Sequence, residues 1–187
     1  MKAIILNGTD KDDPLSVNTC SILNEELTKR DYTVNMLILQ DIDIADCMGC
    51  FGCWVKSPGV CVIDDAGRDV AMRIMRNDLV IYMTPVTFGG YSYELKKAVD
   101  RIIPNILPFF MKIKGEIHHK KRYEHCYNLM GLGLLPHSDE ESERIFKTLI
   151  YRNAINMHSP KHEGVIVYGD QAHDSIRQKI SECLSRY

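Results

Sequence analysis

Apolar runs of strand length and longer amphipathic stretches alternate from one end of the chain to the other. Lys2–Asn7 is an apolar run stopped by Asn7-Gly8 and predicts a buried first strand. Asn18–Arg30 follows, with Ile22, Leu23 and Leu27 on one helical stripe and Asn18 or Ser16 as its expected cap. Thr33–Leu39 predicts a second strand, and Asp65–Arg76 a second helix carried by Val70, Met72, Ile74 and Met75. Leu79–Thr84 predicts a third strand ended by Pro85. Ser92–Ile103 predicts a helix with Leu95, Ala98, Val99 and Ile102 at three- and four-residue intervals. Tyr127–Leu132 and Val165–Tyr168 predict the last two strands, followed by helices over Glu141–Met157 and Ser175–Leu184.

Five strands, each followed by a helix, imply one parallel sheet covered on both faces. Right-handed crossovers make the doubly wound α/β fold, with five parallel strands and helices on both faces, the simplest solution. Ligands are then expected beyond the carboxyl ends of the strands. A single domain over residues 1–187 is expected. Two stretches break the alternation, a cysteine loop at 46–64 and an irregular insertion at 104–125. The insertion contains Pro104, Pro108 and the basic run His118-His119-Lys120-Lys121-Arg122, which reads as a solvated face.

Composition narrows the function classes. Lys and Arg number 23 against 25 Asp and Glu, a net charge of −2, which gives no global attraction to nucleic acid or to an anionic membrane. The opening apolar run is too short for a secretory or membrane-spanning segment, so a cytoplasmic address is expected. Seven cysteines in that setting are thiols or ligands rather than disulfides. Cys20, Cys126 and Cys183 stand alone and are expected as small buried hydrophobes.

The other four form Cys47-x2-Cys50-x2-Cys53-x7-Cys61. Three thiolates at such short gaps can converge on one small object while the fourth arrives from a following turn. Compact runs of this kind hold [4Fe–4S] clusters in bacterial ferredoxins, although with a shorter last gap. Zinc sites draw their ligands in two separated pairs, and disulfide frameworks spread them further. Spacing alone leaves a set of inert thiols open as well.

Three loops share the expected carboxyl edge. The first, Asn7–Thr19, offers hydroxyls and amides before a helix, an arrangement suited to phosphate, with Thr9, Ser16, Asn18 and Thr19 as side-chain donors. Asp10, Asp12 and Asp13 oppose an anion there, and Lys11 is the one cation to offset them. The second, Thr84–Ser92, pairs Gly89 and Gly90 with Phe88 and Tyr91 and suits a flat ring. The third, Gly131–Pro136, has a Gly-x-Gly without the rest of a dinucleotide fingerprint. His137, His158 and His162 are expected as exposed histidines.

Three segments together resemble the NADPH-dependent FMN reductase branch of the flavodoxin-like superfamily. They are Gly8-Thr9 with Ser16-Val17-Asn18-Thr19; Cys47-Met48-Gly49-Cys50-Phe51-Gly52-Cys53-Trp54 with Gly59-Val60-Cys61-Val62-Ile63-Asp64-Asp65; and the stretch Thr84–Arg101. The cysteine block is most similar to that of the iron–sulfur flavoproteins. The resemblance implies a flavodoxin-like sheet in the strand order 2-1-3-4-5 and FMN, its phosphate held by Thr9, Asn18 and Thr19, with Ser16 as a further donor and Lys11 where the family often has a basic residue. Pro85, Val86, Thr87, Phe88 and Gly89 would lie at the FMN ring, with Gly131 nearby. It also implies Cys47, Cys50, Cys53 and Cys61 as ligands of a [4Fe–4S] cluster. The implied activity is an oxidoreductase fed by NAD(P)H or reduced ferredoxin, passing electrons to a small acceptor such as a quinone, in a homodimer or homotetramer. No catalytic side chain is expected, since the flavin carries the chemistry. Two other readings stay open: an electron carrier without its own substrate, and a cysteine-based metal or redox sensor on the same scaffold.

Overall fold

The computed structural model describes residues 1–187. The strands are β1 (Lys2–Asn7), β2 (Thr33–Ile38), β3 (Leu79–Pro85), β4 (Ile106–Ile113), β5 (Glu116–Lys121), β6 (Asn128–Leu135) and β7 (His162–Tyr168). The helices are α1 (Pro14–Thr28), α2 (Gly52–Val55), α3 (Ala66–Ile74), α4 (Tyr93–Asp100), α5 (Glu140–Asn156) and α6 (His173–Leu184). Five parallel strands form the main sheet in the order β2-β1-β3-β6-β7. That is the expected 2-1-3-4-5 counted over the sheet; along the whole chain the numbers change because two further strands precede β6.

Alternation along the strands decides which layer each side chain joins. Ile4, Leu6, Val80, Tyr82 and Leu129 point to the side covered by α3, α4 and α5, where they meet Ile74, Leu95, Phe146 and Ile150. Ala3, Ile5, Ile81, Met83 and Met130 point the other way, onto Ile22, Leu23 and Leu27 of α1 and Ile176 and Ile180 of α6. Both faces are therefore dry, and the strands read as continuous apolar runs for that reason.

Three expectations need correction. The first helix starts at Pro14, with Asp13 as its cap accepting from Ser16 N–H at 2.8 Å, so neither Ser16 nor Asn18 caps it. Proline at the first helical position costs no hydrogen bond, which permits the earlier start. The insertion at 104–125 is not irregular: β4 and β5 form an antiparallel hairpin turning at Lys114-Gly115, where both residues have positive φ. Finally, Gly131 lies inside β6 and not in a loop. A Cβ there would sit 2.3 Å from Ile150, so the glycine admits α5 to the sheet and has no place at the ligand edge.

On the α1/α6 side, the nearly buried Glu26 carboxylate pairs with Lys29 at 2.8 Å, Arg30 at 2.7 Å and Arg177 of α6 at 3.3 Å. Hydrogen bonds from Lys29 and Arg30 outweigh burial and hold its pKa at about 2 instead of 4.5. Its folded-state pKa is depressed, so its contribution to stability is complete above 4.5 and is lost as pH falls toward about 2. Denaturant titrations of Glu26→Gln should show lower stability at neutral pH and a shallower acid dependence in that window.

Candidate functional site

Loops following β1, β3 and β6 meet at the carboxyl edge, where the chain turns from β1 outward to β2 and then back across to β3. Gly8 makes the first junction possible. Its N–H donates to Met83 O at 2.8 Å, and a Cβ on it would lie 2.7 Å from both Leu95 Cβ and Ser92 Oγ. Ser92 Oγ donates to Gly8 O at 2.7 Å, and Ser92 N–H donates to Thr84 Oγ1 at 2.8 Å, so the first two loops are stitched together.

The hydroxyls of the first loop turn inward. Buried Asn7 accepts at Oδ1 from Thr9 N–H at 2.9 Å and from Thr9 Oγ1–H at 2.6 Å, and Thr9 Oγ1 is hydrogen-bonded to Ser16 Oγ. Thr19 is fully buried and its hydroxyl has no partner. Asn18 is half-buried. Lys11 is exposed and pairs with Asp41 at 3.3 Å, across the turn that follows β2. The positive end of α1 already faces the Asp13 carboxylate.

The second loop is a tight reversal. Thr87 and Gly90 exchange backbone hydrogen bonds, and the two residues between them take positive φ, 50° at Phe88 and 75° at Gly89. Gly89 is required twice over, by its φ and because a Cβ would lie 2.4 Å from Ile145. Phe88 stands at the tip with 95% of its surface exposed, while Val86 is buried and donates to Leu134 O at 2.9 Å. Between this loop and the first and third lies a cleft of about 490 Å3, floored by Pro85, Leu134 and Leu135 and flanked by Leu15, Pro136 and His137. Its size suits a cofactor or small molecule. Of the expected cofactor residues, Pro85 alone lines it directly; Asp13 and Pro14 form the wall that hydroxyls were expected to provide. His137 is exposed there as expected. His158 instead bonds His119 O at 2.7 Å, and His162 is half-buried with Nδ1 unpartnered.

The cysteine segment sits beyond β2. Positive φ at Gly49 and Phe51 turns the chain into α2, and Gly52 admits the returning strand of chain, since a Cβ would fall 2.4 Å from Val62 Cγ1. As a result Cys47, Cys50, Cys53 and Cys61 line one small apolar chamber with Ile63 and Ile103. All four are free thiols. Burial, and then the neighbouring charges of Cys61, Cys47 and Cys50, push the Cys53 pKa up. Nowhere do three His, Cys, Asp or Glu side chains converge closely enough to hold a single metal ion.

Sequence reasoning missed what holds this chamber in place. Arg101, at the end of α4, is 2% exposed and donates to Ala45 O at 2.7 Å, to Ile63 O at 3.3 Å and to Asp65 at 2.6 and 2.8 Å. Asp65 in turn caps α3 through Gly67 N–H and accepts from Ala45 N–H. One ion pair thus fastens both ends of the cysteine segment. Trp54 stacks on Phe51, lies against His119 of the hairpin and donates to Ile106 O at 3.0 Å. An arginine closing an apolar helix gives little hint of such a contact, because its partners lie 36 and 56 residues away.

The family model for NADPH-dependent FMN reductases matches residues 1–120, well over half of the chain. The chain belongs to the NADPH-dependent FMN reductase family. Among curated members, an iron–sulfur flavoprotein of Methanocaldococcus jannaschii is 29% identical over 117 residues, 61% of this chain and 58% of that protein. One from Archaeoglobus fulgidus is 29% identical over 104 residues, 54% of this chain and 48% of that protein. The chain spans about half the length of the curated relatives it matches. Solved folds agree over the whole chain. An NAD(P)H:quinone oxidoreductase from Methanothermobacter marburgensis superposes with TM-score 0.68 at 16% identity, over 100% of this chain and 96% of that one. An FMN-dependent NADH-azoreductase of Bacillus anthracis, solved with FMN, gives 0.66 at 14% identity, over 100% and 99%. At such identities the likeness establishes the flavodoxin-like fold.

Proposed function

We propose that the chain is an FMN-dependent oxidoreductase, fed by NAD(P)H or reduced ferredoxin and delivering electrons to a small acceptor such as a quinone or free flavin. The observation that carries this is the 490 Å3 cleft at the carboxyl edge of a reductase-family sheet, lined by Pro85, Leu134 and Pro136. An apolar floor with a backbone reversal beside it fits a flat ring. Pro85 and Val86 would edge that ring, Thr87 to Gly89 would lie over its rim, and Leu15 would exclude water from one side. The phosphate would sit near Thr9 to Thr19, where the orphaned Thr19 hydroxyl supports a polar ligand and Asp13 opposes it. A bound flavin would supply hydride acceptance and single-electron release, chemistry that no side chain here provides. Cys47, Cys50, Cys53 and Cys61 would hold a [4Fe–4S] cluster, which moves electrons singly.

Anaerobic purification with FMN and iron quantified per chain tests the reading. FMN near stoichiometry, bleached by NADH or NADPH and reoxidised by a quinone, is expected. A chain that binds no FMN, or whose flavin no donor reduces, would refute it.

The hairpin supports a homo-oligomer. Phe109, Phe110 and Ile117 expose 63%, 61% and 74% of their surface on the β4–β5 hairpin, large apolar side chains of the kind that interfaces cover. A second copy of the chain is the proposed cover. Light scattering on Phe109→Asp/Phe110→Asp should show monomers where the parent chain forms dimers or tetramers, with FMN content unchanged.

A further inference from the structure

A second cleft, of about 400 Å3, shares no residue with the one at the sheet edge. One wall is a face of α3 and its end, formed by Ala71, Met72 and Met75; the opposite wall is the base of the hairpin, with Pro104 and Tyr123. Cys61 lines one end, so the cleft abuts the cysteine chamber.

Its charge is one-sided. Arg68, Arg76 and Arg101 all line it, and none of its twelve lining residues is acidic. Arg68 is engaged by Asp64 at 2.7 Å and by Cys61 O at 2.8 Å, and Arg101 by Asp65. Arg76 is exposed and has no carboxylate partner within ion-pair distance, in a protein whose overall charge is negative. The Nε–H of buried Arg101 is likewise unpartnered. Inorganic anions would leave the methionine and proline walls wet, and a wholly apolar ligand would leave Arg76 unanswered. Methionine sulfurs adapt to aromatic rings, and a guanidinium matches a carboxylate or sulfonate through two parallel hydrogen bonds.

We propose that this cleft binds a small aromatic carboxylate or sulfonate, its ring between Met72, Met75 and Tyr123 and its anionic group at Arg76. The volume suits one or two fused rings. The assignment does not rest on the flavin reading.

Calorimetric titration of the purified full chain, with whatever cofactor it carries, tests the assignment. The probes are 2-naphthoate and the uncharged 2-naphthalenemethanol. Expected is one naphthoate per chain, bound about tenfold or more tighter than the alcohol, the scale of one charge-assisted hydrogen-bonded pair. Arg76→Glu should abolish that preference and leave alcohol binding unchanged. Met72→Trp, on an exposed rim position, should weaken both probes by filling the cleft. Circular dichroism and the FMN spectrum should be the same in all three proteins. Absent binding, equal affinity for the two probes, an Arg76→Glu variant that still prefers naphthoate, or displacement of FMN by naphthoate would each overturn the proposal.

Discussion

Cys53→Ser is expected to empty the cysteine chamber of iron, from about four atoms per chain to less than one, while FMN stays bound. Cys53 is the most buried of the four and stands in α2 with its thiol facing the other three. A serine hydroxyl in that apolar pocket would remain protonated and could not replace a thiolate. The sheet-edge cleft shares no residue with the chamber, so its ligand should be indifferent to the change. Iron and flavin assays on anaerobically prepared protein measure both quantities at once. Cys126→Ser is the control, because that half-buried thiol lies outside the chamber. Equal iron in Cys53→Ser and parent would refute the cluster assignment. Zinc in place of iron would instead support the sensor reading.

The second large effect belongs to Arg101→Met. Removing the guanidinium leaves the Asp65 carboxylate, 15% exposed, without its cation, and orphans the carbonyls of Ala45 and Ile63. Breaking a buried pair from one side costs about 3–5 kcal/mol. Lysine should not rescue it, since a single ammonium cannot reach both carboxylate oxygens and two carbonyls in a plane. Urea denaturation should show the loss, and iron retention should fall with it because both ends of the cysteine segment come free. The pH profile carries a sign. Burial raises the Asp65 pKa, but hydrogen bonds from Arg101 and Ala45 N–H outweigh it and leave the value depressed. The stabilisation is therefore present above the ordinary carboxylate pKa and is lost as pH falls through the lowered one. The variant should lack that acid-dependent component.

Much of the fold is legible because both sheet faces are buried. Runs such as Ala3–Leu6 and Leu79–Met83 have no polar interruption, and α4 announces itself through Leu95, Ala98 and Val99. The hairpin escapes such reading. Phe109, Phe110 and Ile117 are apolar yet exposed, so β4 has neither alternation nor a buried run, and Pro104 and Pro108 suggest irregularity. The α1 start is hidden by a choice among several capping residues that only tertiary structure resolves.

The site divides in the same way. Cysteine spacing predicts a common chamber because the gaps are short enough for local turns to determine it. The first-loop hydroxyls look like ligand donors in sequence, but Asn7 and Ser16 draw Thr9 inward. A polar side chain in a loop has two ways to be satisfied, and composition does not distinguish them. Gly131 similarly reads as a loop glycine although it answers to Ile150 across a helix–sheet contact.

Trp54 is the chain's single tryptophan, held between Phe51 and His119 where the cysteine segment meets the hairpin. The sheet and its helices contribute no other indole. Intrinsic emission excited at the red edge of protein absorption therefore reports one seam alone. A red shift would register the cysteine segment lifting from the hairpin while the rest of the protein stays folded, which gives assembly of the cysteine chamber an optical readout that needs no label.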